Sequence, residues 1–346
     1  MSSYYVDGYM EHLYSKNAKE YRFNIDAIQN EKDLQKFSLG MREAYKSCLG
    51  EMPENLPPDV KVLSETQLNG YKRLKIEYAI DENLKAPAYI LIPDNAKNSK
   101  SNAAVIALTG HGYGVADIVG IAENGEDKPE GGNPGYQKNF AVELVKRGFI
   151  VAAPELFGFG ELMLESGKRR NDGSSCFALS TQLLMYGKTM AGMRVWQSER
   201  MLDYLIGRND VDPERIGVMG ISGGGLASSF FTAYEKRIKA CVVSGFLCTF
   251  KESIMSIYHC VDNFVPGIIK NGEMADLFGL IAPRPLLIEA GIDDDIFPLN
   301  GVKSSYARLE SLYERLNVKD KIDIDIFKGE HQISGAKAYD FLTKWL

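Results

Sequence analysis

The sequence predicts an α/β fold: a mainly parallel central sheet with an antiparallel start, helices on both faces, and a helical extension in front. Three observations predict it. The runs AAVIALTG, FIVAAP, RIGVMG, IKACVVSG, PLLIEAG and IDIDIF are short and continuously apolar, as strands buried on both faces are. Helix-like segments separate these runs, which is the pattern of a parallel sheet with crossover helices. Ahead of them, VKVLSETQ and YKRLKIEYAI alternate polar and apolar residues around an Asn-Gly turn, so the sheet begins with a hairpin.

Taken in order, residues up to about 50 read as helical. Leu34, Phe37, Leu39, Met41 and Tyr45 form an irregular apolar stripe that ends at Gly50 and Pro53. PENLPPD is a connector, which divides the chain into a helical extension at 1–58 and an α/β domain at 59–346. APAYILIP is the third strand. The helical segments are KNFAVELVKRG, one long stretch from about Phe177 to Gly207, GLASSFFTAYEKR, GVKSSYARLESLYERL and GAKAYDFLTKWL. Trp196, Met190, Met193 and Met201 fall on the core side of the long one.

Bulk composition excludes several classes. The 346 residues are 45% hydrophobic and 25% charged with a net charge of -6, a globular composition without a basic footprint for nucleic acid. The five cysteines, Cys48, Cys176, Cys241, Cys248 and Cys260, are odd in number and lack CxxC spacing. Reduced thiols and a cytoplasmic location follow as expectations, with no disulfide framework. No signal-peptide pattern opens the chain, and no apolar run is long enough for a bilayer. GHGYG has Val115 where a dinucleotide fingerprint needs glycine, no phosphate-binding loop motif is present, and the histidines lack metal-ligand spacing. Neither a cofactor nor a metal is expected.

The chemistry is expected at the carboxyl ends of the strands. RIGVMG runs into Ile221, Ser222 and three glycines, a G-x-S-x-G between a strand and a helix. Such a turn strains the serine backbone, and Gly220 and Gly224 let strand and helix pass closely around it. A serine hydroxyl needs a base. Of the four histidines, His331 lies after the last strand and before the last helix, the expected end of the order serine, acid, histidine. The acid falls in GIDDDIFP after PLLIEAG, where spacing favours Asp294 and Asp293 is the nearest rival. The N–H of Gly223 and one from TGHGYG, Tyr113 or else Gly112, would hold the oxyanion.

The other candidates carry less. His12 reads as solvated, His111 as shaping its loop, and His259 as either pocket lining or a buried ring. Phe157, Phe159 and Glu161 in PELFGFGE either line a substrate pocket or accompany a tight turn. The loop from Gly114 to Gln137 either caps the pocket or lies on the surface. KRRNDG reads as a solvated charge run.

LTGHGYG, APELFGFGE, MAGMRVWQSERMLDYLIGRNDVDPERIGVMGISGGG and DLFGLIAPRPLLIEAGIDDDIFP together resemble the α/β-hydrolase superfamily, in its acetyl xylan esterase-like and dienelactone-hydrolase-like branch. The resemblance runs from about Ala86 to the C-terminus. It implies a nucleophile at Ser222, an acid at Asp294, a base at His331 and an oxyanion donor at the tyrosine of the HGY block, Tyr113.

These readings converge on a cofactor-independent serine carboxylesterase acting on a small acyl ester, with an acetyl group and a carbohydrate alcohol among the expected options. A prolyl oligopeptidase-like peptidase shares the order of triad residues, but the first sixty residues are too few for the propeller such enzymes carry. A hydrolase-fold binding protein would not need all three triad positions intact. The expected partner is a small-molecule ester, without nucleic acid or membrane, and the N-terminal helices offer a surface for a homo-oligomer.

Overall fold

The computed structural model describes residues 5–346. A nine-stranded sheet is ordered β1-β2-β3-β5-β4-β6-β7-β8-β9. Its antiparallel start comprises β1 (Lys61–Leu68), β2 (Tyr71–Asp81) and β3 (Leu84–Pro93), and β3 runs antiparallel to β5 (Ile150–Pro154). From β5 onward the pairing is parallel through β4 (Asn102–Leu108), β6 (Val211–Ile221), β7 (Ala240–Ser244), β8 (Leu286–Gly291) and β9 (Ile322–Phe327). β5, β7 and β8 are buried at every residue, which is why they read as unbroken apolar runs. β1 is an edge strand, exposed at nearly every position, and carries the charged and polar side chains that suit an edge.

One apolar cluster lies on each face. On one face pack α6 (Met190–Gly207) and α7 (Gly223–Tyr234). Ahead of α6 on the chain lie α4 (Glu165–Arg170) and α5 (Cys176–Met185), and beyond α7 come α8 (Met274–Phe278) and α9 (Leu299–Arg315). The opposite face is covered by α3 (Phe140–Lys146) and α10 (Ala338–Trp345). This is the α/β-hydrolase fold that the sequence predicted.

Two readings need correction. The stretch from Phe177 to Gly207 is two helices, not one: α5 ends at Met185, Gly187 turns with φ +68°, and Thr189 caps α6 by accepting the Gly192 N–H at 2.9 Å. Leu39 is 75% exposed. It lies two residues from both Phe37 and Met41, which places it off the helix face those residues bury. Trp196, Met190, Met193 and Met201 are buried as expected.

The N-terminal segment has no core of its own. α2 (Glu31–Leu49) buries Leu34, Phe37, Met41 and Tyr45 in the same cluster as α6 and α7, and the Tyr45 hydroxyl donates to the Phe230 carbonyl at 2.9 Å. α1 (Val6–Lys19) buries no residue and is held by polar contacts, including Tyr14 Oη to Glu273 Oε1 at 2.8 Å. Between the two helices, the Ile25 N–H donates to Asp276 Oδ1 at 2.8 Å, and Arg308 reaches the same carboxylate at 2.7 Å. Among the described residues no helix is long and apolar enough to cross a membrane.

Asp276 therefore fastens the extension, α8 and α9 with one buried carboxylate. Asp276→Ala leaves Arg308 and two N–H groups without their acceptor, and is expected to cost about 3–5 kcal/mol of unfolding free energy in urea titrations.

Candidate active site

The residues of interest follow the carboxyl ends of β4, β5, β6, β7, β8 and β9. Ser222 sits between β6 and α7 with φ +57° and ψ −121°. That strained conformation is held by packing. A Cβ at Gly220 would collide with the Gly224 carbonyl, and a Cβ at Gly224 with the Leu108 carbonyl on β4. The first N–H groups of α7 open beside the serine, where the helix end favours negative charge. Among the described residues the backbone N–H groups of Gly223 and Tyr113 have no acceptor.

His331 Nδ1 lies 2.8 Å from Asp294 Oδ2. The other oxygen of Asp294 accepts the N–H groups of Ile296 at 2.9 Å and Phe297 at 3.0 Å. This separates the three aspartates: Asp294 is buried, while Asp293 and Asp295 face solvent. The imidazole is stacked between Tyr136 and Phe297, with ring centroids 6.0 and 5.8 Å away. Its Nε2 is buried and has no partner. Gly245, just after β7 with φ +52°, makes room for the ring; a Cβ there would stand 2.8 Å from His331 Cε1. The loop after His331 is tied back by Glu289 on β8, which accepts the Gly335 N–H at 2.8 Å and the Ser244 hydroxyl at 2.5 Å.

Ser222 and His331 line one cavity of about 370 Å³ with His111, Tyr136, His259, Cys260, Ile257, Tyr258 and Ile296. Both ring nitrogens of His259 are buried without a partner, and burial presses its pKa down to about 4, so the ring is neutral near pH 7. A second, more polar hollow lies on the other side of His111, Gly112 and Tyr113 and is bordered by Lys168, Asn171 and Asp172. The KRRNDG segment is exposed throughout, as its reading as a solvated charge run expected, and it borders this second hollow.

Phe157 and Glu161 lie elsewhere. Glu161 is exposed and pairs with Lys75 at 2.8 Å, and the Phe157 backbone binds Gln197 and Arg194. Neither lines the cavity of Ser222. Gly160 of PELFGFGE instead makes room for Glu155, a buried carboxyl that the sequence reading passed over. It accepts the Val115 N–H at 2.9 Å and the Glu161 N–H at 3.3 Å, joining the HGY loop to the loop after β5. Gly114 and Gly160 press directly on its oxygens.

The loop from Gly114 to Gln137 is braced around Asp117, which receives Lys128 Nζ at 2.6 Å, the Tyr113 hydroxyl at 2.9 Å and Gln137 Nε2 at 2.8 Å. Of this loop only Tyr136 reaches the cavity, and its hydroxyl donates to the His111 carbonyl.

His111 does more than shape its loop. Its Nε2 lies 3.4 Å from Asp262, and Arg194, fully buried in α6, binds the same carboxylate at 2.7 Å. Burial opposes the His111 cation, but the hydrogen bonds to Asp262 and Cys176 outweigh it and raise the pKa to about 9. Phe159 packs edge-on against His111 at 4.8 Å. Arg194 was detectable in the sequence as a charge among the core residues of MAGMRVWQ; Asp262 had no such signal.

The model of the family described as "Abhydrolase family" matches residues 2–321. The chain belongs to that family. This abhydrolase is 30% identical over 320 residues to a Bacillus subtilis (strain 168) protein named "Putative hydrolase YtaP", covering 88% of the chain and 98% of that protein. Its fold is similar to a "putative acetyl xylan esterase" of Bacteroides fragilis, with a TM-score of 0.77 and 21% identity over 95% of the chain and 82% of the other. A glucuronoyl esterase of Solibacter usitatus matches with a TM-score of 0.67 and 16% identity over 90% and 92%.

Burial raises the Glu155 pKa from 4.5 to about 7. Because the unfolded chain releases this proton first, the Glu155 contribution to stability falls as pH rises from about 4.5 to 7. Glu155→Gln, compared with wild type in urea titrations across that range, is expected to flatten the decline.

Proposed function

We propose that this abhydrolase is a serine carboxylesterase that cleaves small acyl esters, acetyl esters of carbohydrates among them. The observation that carries the proposal is the His331 imidazole. It is bound to buried Asp294 through Nδ1 and carries a free, buried Nε2 in the cavity that holds Ser222.

In this mechanism His331 Nε2 takes the Ser222 proton as the hydroxyl attacks the ester carbonyl. Asp294 keeps Nδ1 protonated and stabilises the imidazolium that forms. The oxyanion rests on the N–H groups of Gly223 and Tyr113, at the positive end of α7. His331 then protonates the departing alcohol, and a water repeats the sequence to release the acid.

The cavity size supports a small acyl group, and the neutral His259 offers a hydrogen bond without charge. The polar hollow beyond Tyr113 suits a hydroxyl-rich alcohol. The named esterases with this fold support the carbohydrate side of the proposal.

A fluorophosphonate probe is expected to add one adduct to wild type and none to Ser222→Ala by intact mass. An unlabelled wild type that also fails to hydrolyse p-nitrophenyl acetate would reject the proposal. Asp294→Asn should lower kcat by about 10⁴-fold, by releasing the imidazole to the wrong tautomer. Gly245→Ala should also lower kcat, by pushing the ring away, while folding remains intact by circular dichroism.

A further inference from the structure

One cluster beside the cavity takes no part in this mechanism. Cys176, the first residue of α5, and Cys260, on the irregular segment between β7 and α8, come together 84 positions apart in the chain. One ligand atom from each of Cys176, Cys260, His111 and Asp262 lies within 4.8 Å of the others. Arg194 Nη2 lies 3.3 Å from Cys176 Sγ, and His111 Nε2 lies 3.8 Å from it.

The donor types alone would suit a metal ion. The guanidinium, however, already sits among them, with Nη1 on Asp262 at 2.7 Å and its side chain fully buried. A cation is therefore in place, and a second would have to share its ligands. What the guanidinium stabilises instead is a thiolate. The hydrogen bond from Cys260 lowers the Cys176 pKa most, and Arg194 and His111 lower it further against the effect of burial. Cys176 is buried, and Cys260, half-buried, lines the cavity that holds Ser222.

We propose that Cys176 and Cys260 are an oxidisable thiol pair, which a hydroperoxide converts to a disulfide in the wall of the cavity that holds Ser222. The Cys176 thiolate attacks one peroxide oxygen and the O–O bond breaks. A sulfenic acid forms on Cys176, and the departing hydroxide takes up a proton to become water. The Cys260 sulfur then attacks the sulfenic sulfur. The S–O bond breaks, the S–S bond forms, and a second water leaves with the Cys260 proton. Two electrons pass from the thiols to the peroxide, and the atoms balance as two thiols plus one peroxide giving one disulfide and two waters.

The bond requires the sulfurs to close to about 2.05 Å. Cys260 stands between fully exposed Tyr258 and the short turn at Val261–Asn263. Drawing it toward α5 displaces Tyr258 and His259, which line the same cavity, and removes the thiolate from Arg194. Turnover is thereby lowered. The effect on turnover rests on the esterase reading; the cross-link does not.

The test uses the reduced full chain treated with hydrogen peroxide, with peptide mapping under non-reducing conditions. The expected result is a loss of two hydrogen masses, and tryptic peptides 171–188 and 252–270 joined through Cys176 and Cys260. Hydrolysis of p-nitrophenyl acetate falls several-fold, and dithiothreitol restores both mass and rate. Cys260→Ser should stop at a Cys176 sulfenic acid that dimedone traps, and Cys48→Ala should leave the cross-link unchanged. Three results would overturn the proposal: thiols untouched at peroxide levels that oxidise glutathione, a cross-link that excludes this pair, or one equivalent of tightly bound zinc released only on denaturation.

Discussion

The close passage of β6 and α7 against the end of β4 is the constraint on which the site depends. Gly220 and Gly224 leave no room for a Cβ, because the Gly224 and Leu108 carbonyls occupy the space it would need. With both elements pressed together, Ser222 has nowhere to go but the strained bend at φ +57°. Strain of this kind costs on the order of 1–3 kcal/mol and persists only where the surroundings over-determine it. Here the sheet and the helix do so. The same closeness aims the first turn of α7 at the serine and brings the loop after β4 alongside.

Around that fixed point the loops are tied by buried carboxyl groups as well as by apolar contacts. Glu155 joins the loops after β4 and β5, Asp117 braces the long loop behind Tyr113, and Glu289 secures the loop that follows His331. Asp262, with Arg194, draws the segment after β7 toward His111. Each carboxylate loses hydration on burial, so each must be matched by N–H donors or a cation. In return a loop gains a single arrangement, since any other would leave a buried polar group unpaired. Hydrophobic packing alone is non-directional and would not place a ring nitrogen to within a few tenths of an ångström.

The legible parts of the protein were those with a local signature. All nine strands were visible because burial on both faces or hairpin alternation marks each one in its own few residues. Ser222 was visible because its glycines record a steric requirement at fixed spacing. Asp294 and Asp293 were separable only by position after the strand. In the structure the Asp294 carboxylate turns inward onto the Ile296 and Phe297 N–H groups, and that of Asp293 faces solvent. The break at Gly187 was missed because apolar and helix-forming residues continue on both sides of it. Of the two readings left open for Phe157 and Glu161, the structure keeps both residues off the cavity of Ser222, and Gly160 between them makes room for Glu155.

By itself, then, the sequence determined the sheet, its flanking helices, the bend at Ser222 and the order in which Ser222, Asp294 and His331 follow their strands. Those features arise from periodicity and sterics between residues close in the chain. The tertiary structure alone decided which groups meet: the imidazole between Tyr136 and Phe297, the arginine on Asp262, and Cys176 beside Cys260. Such meetings depend on how loops from separate strands are drawn together by buried charge. That pairing has no period and leaves no local pattern to read.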